Sequence, residues 1–307
     1  MRVVITGASG FIGRALCRRL RGDCEIVVLS RNAEQAAKSP AGAARVAAWD
    51  GRTLGDWIHE VDGAAAVVNL AGENVASGRW TTSKKERILQ SRTDCTRALA
   101  EAIKRVDNKP GVMIQASAIG YYGPRGDEML DEGSLGGSSF LAEVCRESEG
   151  VGKEVEVLGV RYVVIRTGVV LGVGGGALAR MVQPFRFYLG GHLGSGRQWL
   201  SWISLDDEVA AVEFLIKNPQ LKGAFNLTSP QPVTMREFSR TLGRVLGRPA
   251  WVNVPGFVMR LLLGEMAKEM LLSGQRVMPK RLREASFEFK YEDLEGALTA
   301  VLKGNQE

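Results

Sequence analysis

The run Thr6-Gly7-Ala8-Ser9-Gly10-Phe11-Ile12-Gly13 constrains this chain more than any other. It follows the apolar Val3-Val4-Ile5 and leads into Phe11 to Arg21, where apolar residues recur at helical spacing. Three glycines therefore fall at a strand-to-helix turn, the context that gives a glycine pattern physical meaning. The first glycine permits a tight turn, the second lets backbone N–H groups approach a pyrophosphate, and the third lets helix and strand pack closely. The helix N-terminus adds oriented donors and a partial positive charge.

The same alternation continues downstream. Largely apolar segments at Arg2 to Ile5, Glu25 to Leu29, Ala44 to Ala48, Ala65 to Asn69, Val112 to Ala116 and Tyr162 to Arg166 read as strands covered on both faces. Between them, Lys85 to Arg105 and Phe140 to Glu149 carry helical periodicity. Repeated βαβ units of this kind predict an α/β fold, a Rossmann-type doubly wound parallel sheet. After Arg166 the pattern changes to the glycine-rich stretches Gly172 to Gly176 and Gly190 to Gly196. The expected division is a Rossmann domain over 1–170, rejoined by a strand near 225–227, and a smaller C-terminal substrate lobe over 171–307. Phe257 to Leu272 reads as an amphipathic helix buried in that lobe.

The chain has 307 residues, 45% hydrophobic and 24% charged, with no apolar run of the roughly 18 residues that a membrane span requires. Arg2 leads directly into the first strand, so no signal peptide is read and a cytoplasmic location is expected. Cys17, Cys24, Cys95 and Cys145 form no CxxC pair, and His59 and His192 are the only histidines, which argues against a metal centre and against a disulfide framework. The net charge of +6 is diffuse, so the expected partner is a small molecule rather than nucleic acid or a membrane. The sequence leaves the substrate and the oligomeric state open.

Cofactor choice is read at the end of the second strand, where an acidic residue about 20 positions beyond the glycines accepts from a ribose 2′-OH. Ser30-Arg31 stands there instead. A guanidinium in place of a carboxylate favours a 2′-phosphate and hence NADP(H). The other reading of Arg31 is a solvent-exposed loop arginine.

Together with the glycine loop, Asn69-Leu70-Ala71-Gly72, Ser117-Ala118-Ile119-Gly120-Tyr121-Tyr122-Gly123 and Arg166-Thr167-Gly168-Val169-Val170-Leu171-Gly172 make the chain resemble the extended short-chain dehydrogenase/reductases. More narrowly, Asn69 to Asn74, Ser91-Arg92, Gly194 to Trp199 and Gly274-Gln275-Arg276-Val277 are similar to the epimerase-family branch of the NAD-dependent epimerase/dehydratases. That branch ends in a small C-terminal domain of unknown function, here about Trp251 to Leu298. The resemblance implies that Gly7, Ser9, Phe11 and Ile12 line the pyrophosphate, with Gly10 and Gly13 in the same cofactor-binding loop. It implies Asp50 near the adenine, Leu70, Ala71 and Gly72 beside a ribose, and Arg92, Ala116, Ser117, Thr167, Gly168 and Val169 elsewhere along the cofactor.

The superfamily's helical Tyr-x-x-x-Lys does not carry over, because its expected place holds Phe140 and Val144. Tyr121, Tyr122, Tyr162, Tyr188 and Tyr291 are followed four residues on by Arg125, Gly126, Arg166, His192 and Glu295. Ala118 occupies the usual serine position, with Ser117 beside it. The candidate catalytic residues are therefore Tyr122, Ser117 and Tyr121, with Glu143 and Cys145 as further acid–base groups and a buttressing role as the other reading of Tyr122. On the substrate side, Arg197 is the expected anion contact and Trp199 or Trp202 a stacking wall. The alternatives are that the tryptophans belong to the lobe core and that Asp206-Asp207 caps the next helix. Two functions follow: an NADP(H)-dependent oxidoreductase or epimerase-like enzyme, or a non-catalytic NADP(H)-binding sensor.

Overall fold

The computed structural model describes residues 1–34 and 45–304. Its main sheet has seven strands: β1 (Arg2–Thr6), β2 (Glu25–Ser30), β3 (Arg45–Ala48), β4 (Ala66–Asn69), β5 (Val112–Ala118), β6 (Arg161–Thr167) and β7 (Gly223–Leu227). They lie in the order β7-β6-β5-β4-β1-β2-β3, every neighbouring pair parallel. The order reverses between β1 and β4, so a crevice opens beyond the carboxyl ends of these strands, where open α/β sheets bind ligands. Ala44, expected to begin the third strand, lies outside the described residues.

Both faces of the sheet are covered, which is why its strands read as continuous apolar runs. In β1, Val3 and Ile5 pack on one side with Leu16 and Leu20 of helix α1 (Phe11–Leu20), while Val4 faces Leu99 and Ile103 of helix α2 (Thr82–Arg105) on the other. Helix α3 (Phe140–Gly152) precedes β6, and helix α4 (Leu205–Lys217) packs Val209, Val212 and Leu215 against the α1 side of the sheet.

The lobe has a separate core built on Trp202, Phe238, Leu242 and Leu298. Segment 171–307 does not stay within it, because α4 and β7 return to the main sheet between lobe segments. Two expectations need correction. The helix anticipated over Phe257 to Leu272 breaks at Gly264, which has φ +63° and separates Gly256–Leu263 from Glu265–Met270. The first of these two helices buries no residue, and Phe257, Leu261 and Leu262 face outward. Among the described residues no helix is long and apolar enough to cross a membrane.

Candidate functional site

The glycine loop has the geometry its spacing demands. Gly7 sits at φ +67°, and a Cβ on it would lie 2.5 Å from the Leu70 carbonyl oxygen. A Cβ on Gly13 would lie 2.4 Å from the Gly7 carbonyl oxygen, so α1 can approach β1 only with glycine there. Gly10 caps α1 without a side-chain acceptor, the first turn carries no acidic residue, and Ser9 and Gly10 are exposed. The first-turn N–H groups and the positive end of the helix are therefore left for an anionic ligand. Phe11 is pinned from above, because a Cβ on Gly172, Gly175 or Gly176 would meet its ring at 3.0 Å or less. Arg14 ties the two loops by donating to the carbonyls of Ser9 and Gly174.

A buried polar ladder shapes the crest beside the loop. Thr6 Oγ1 donates to Asn69 Oδ1 at 2.6 Å and accepts from the amides of Leu70 and Ala71, while Asn69 Nδ2 donates to Gln115 Oε1 at 2.9 Å. Gln115 Nε2 in turn donates to Ser148 Oγ on α3. Satisfied networks of this kind hold strand ends in fixed relation. They set Leu70 and Ala71 directly against Gly7.

Ser30 and Arg31 stand at the end of β2, with Ser30 Oγ accepting from the Asn32 amide and Arg31 exposed. The Glu73 carboxyl pKa is lowered first by its hydrogen bond from Lys84, with a smaller charge effect from Arg31. Asp50 lies beyond β3, its carboxylate accepting from the Thr53 amide and hydroxyl and the Arg52 amide, hydrogen bonds that hold it below the usual range. Arg92 lies under Gly72, its Nη1 donating to the carbonyls of Glu73 and Ile88, so it is a floor to that turn. Ala116 and Ser117 on β5 pair with Ile165 and Arg166, which brings Thr167, Gly168 and Val169 to the same edge.

The expected catalytic groups are differently disposed. Tyr122 is fully enclosed, its hydroxyl donating to Asn226 Oδ1 at 2.7 Å and accepting from Arg166 Nη1 at 3.2 Å. Burial pushes its pKa up to about 12 despite Arg166, and its two hydrogen bonds make it a buttress of the loop after β5. Ser117 Oγ is committed to Glu149 Oε1 at 2.6 Å, and Glu149 is itself held by Arg166. That hydrogen bond ties the serine into the buried Glu149–Arg166 ion pair. Cys145 is buried, and burial raises its thiol pKa, with Sγ donating to the Ala118 carbonyl. Glu143 is exposed. Tyr121 alone of the named tyrosines at this edge is partly open, with the Arg166 guanidinium carbon 3.4 Å from its ring centroid.

Phe140, at the position of the missing tyrosine, packs edge-on against Trp80 at 5.2 Å, and Lys85 Nζ sits 4.6 Å over its ring. Its amide and that of Leu141 donate to the two oxygens of Glu269, so a carboxylate from the lobe caps α3.

On the substrate side Trp202 is corrected to a core residue: it is 0% exposed and its Nε1 donates to the Gln231 carbonyl, leaving no ring face for a ligand. Arg197 is exposed in a turn where its amide donates to Ser195 Oγ. Trp199 is half-buried, with Nε1 donating to Asp127 Oδ1 at 2.7 Å and Arg276 over its ring. The cap of α4 is Ser204, not Asp206 or Asp207, and Asp207 instead accepts from the amides of Lys290 and Tyr291. Sequence reasoning also missed Glu149, Glu208 and Glu269 as site-shaping groups. Glu208 is fully buried against Thr167, whose Oγ1 donates to its Oε1 at 2.8 Å.

A parallel seven-stranded sheet of this order, with an uncapped helix following a three-glycine turn, defines a Rossmann-type α/β protein with an appended lobe. Residues 3–228 match the NAD dependent epimerase/dehydratase family and residues 254–301 match a domain of unknown function (DUF1731). The chain belongs to the NAD dependent epimerase/dehydratase family. It is 43% identical to an Arabidopsis thaliana epimerase family protein SDR39U1 homolog described as chloroplastic, over 99% of this chain and 87% of that one. It is 36% identical to the Bacillus subtilis epimerase family protein YfhF, over 98% of each. Human epimerase family protein SDR39U1, solved with NADPH, superposes with a TM-score of 0.88 at 32% identity, covering 98% of this chain and 99% of that one.

Proposed function

We propose that the chain is an NADP(H)-binding oxidoreductase or epimerase-like enzyme acting on a small molecule. The observation that carries this reading is the uncapped N-terminus of α1 over Gly7, Gly10 and Gly13, with Arg31 exposed at the end of β2. Those residues fit the cofactor: the glycines leave the cradle that a Cβ would fill, the α1 amides would hold the pyrophosphate, and Arg31 would hold the 2′-phosphate. The human relative solved with NADPH supports the same choice. Leu70, Ala71 and Gly72 would flank the ribose and Thr167, Gly168 and Val169 would cover the nicotinamide, which when bound supplies hydride exchange with a carbon of the substrate.

The protein's own part is to position the two and to handle the proton. Tyr121 is the acid–base candidate, since Tyr122, Ser117 and Cys145 are committed elsewhere. The same commitments favour a second reading, a protein that senses NADP(H) without turnover.

Calorimetric titration of the purified chain with NADPH and NADH tests the cofactor assignment. NADPH is expected to bind at least about tenfold tighter, with Arg31→Ala abolishing the preference. Equal affinities in both proteins overturn it. NADPH consumption with aldehydes, ketones or nucleotide sugars, lost in Tyr121→Phe, separates the enzyme from the sensor.

A further inference from the structure

Arginines packed around the crest are satisfied by the protein. Arg166 is paired with Glu149, and Arg92 donates to the carbonyls of Glu73 and Ile88. Arg276 is different. Its Nε is buried with no hydrogen-bond partner, and its guanidinium meets no carboxylate at ion-pair distance among the described residues. A buried donor left unpaired destabilises by about 1–3 kcal/mol, more when charged, so such a group calls for a reason.

Its placement supplies one. Arg276 and Val277 form a short strand parallel to Met129–Leu130, and Val277 turns into the cluster of Ile119, Tyr122 and Leu130. Strand alternation sends Arg276 to the opposite face, where its guanidinium carbon lies 4.4 Å from the Trp199 ring centroid. Trp199 is oriented in turn by its hydrogen bond to Asp127. A guanidinium held over an aromatic ring keeps its remaining N–H groups for an oxygen acceptor, and none of those of Arg276 meets a protein acceptor among the described residues.

The segment is also fixed relative to the cofactor edge. Ser201 accepts from the Val169 amide through its carbonyl at 2.9 Å, donates from Oγ to the Gln275 carbonyl at 2.8 Å, and accepts at Oγ from the Val277 amide at 2.9 Å. Arg276 is thereby stapled, one residue on either side, to the loop at the end of β6.

We propose that Arg276, held over the Trp199 ring, is the anion-binding group of the substrate subsite, taking the carboxylate or phosphate of a molecule whose reacting carbon lies at the Gly168–Val169 edge. The proposal rests on the NADP(H) reading above for the position of that carbon, and it moves the anion contact from Arg197 to Arg276.

The test titrates the NADPH-saturated chain with inorganic phosphate and, separately, with malonate, and repeats both on Arg276→Gln and Arg276→Lys. At least one anion is expected to bind the parent chain. Its affinity should fall about tenfold or more in Arg276→Gln and by less in Arg276→Lys, which keeps the charge but not the fork. NADPH affinity should stay unchanged in both variants, which also shows that they fold. The stronger of the two anions identifies the ligand as phosphate or carboxylate. Anion affinity unchanged in Arg276→Gln, or no binding of either anion by a chain that binds NADPH, overturns the proposal. Failure of NADPH itself to bind sinks the underlying reading instead, and the same anion titrations on the free chain then decide the role of Arg276 separately.

Discussion

Glu149 and Arg166 are joined by two parallel contacts, Nε to Oε1 at 3.1 Å and Nη2 to Oε2 at 2.8 Å, with side chains only 12% and 6% exposed. Burial disfavours the Arg166 charge, but the Glu149 carboxylate outweighs it and holds the guanidinium above its ordinary pKa. Glu149→Ala strands that charge against the Tyr121 ring. The expected loss is about 3–5 kcal/mol of unfolding free energy, read from the urea midpoint, because a buried ion deprived of its partner keeps its desolvation penalty. A loss below about 1 kcal/mol means that water reaches the pair.

Tyr122→Phe removes the donor to Asn226 Oδ1 and the acceptor of Arg166 Nη1. Stability should fall by about 1–3 kcal/mol while NADPH affinity is unchanged. Loss of turnover at unaltered stability would instead assign Tyr122 a catalytic role.

Gly7→Ala combines a left-handed backbone at φ +67° with a Cβ 2.5 Å from the Leu70 oxygen. It should lower stability by about 1–3 kcal/mol and weaken NADPH binding as the loop is pushed from its cradle. Gly22→Ala is the contrast: φ is +98° but nothing lies within 4 Å of the new Cβ, so stability falls without a change in affinity.

Glu208 supplies a pH signature. Burial raises its carboxyl from 4.5 to about 8, only partly opposed by the hydrogen bond from Thr167. Between those values the unfolded chain releases the proton and the folded chain keeps it. The stability it contributes is thus complete below about pH 4.5 and is lost as the pH rises through about 8. Glu208→Gln does not titrate, so its melting temperature should gain on the parent's as the pH is raised from about 5 to about 8.5. A constant difference over that range would show that Glu208 ionises freely in the fold.

The Rossmann half was legible because its information is local. Strands buried on both faces announce themselves as apolar runs, and the three glycines fall where one turn brings strand to helix. What escaped depends on residues far apart in the chain. Nothing near Arg166 names Glu149 as its partner, and the Trp199–Arg276 stack joins two motifs whose proximity exists only once Ser201 has bridged them. Trp199 and Trp202 looked equivalent in sequence, yet one stays half-buried beside Asp127 while the other is sealed among Phe238 and Leu242. The break at Gly264 was hidden because the apolar spacing on both sides continues in phase.

The position of β7 has a consequence for how the chain is made. β6 ends at Thr167, but its sheet neighbour begins only at Gly223, after part of the lobe has been threaded between them. On the ribosome the nascent sheet therefore carries an open hydrogen-bonding edge along β6 until residue 223 has emerged. Tyr122 also waits for Asn226 during that interval. The loop that carries the candidate acid–base group is among the last parts of the crest to lock, and truncation before residue 223 would leave a product prone to self-association.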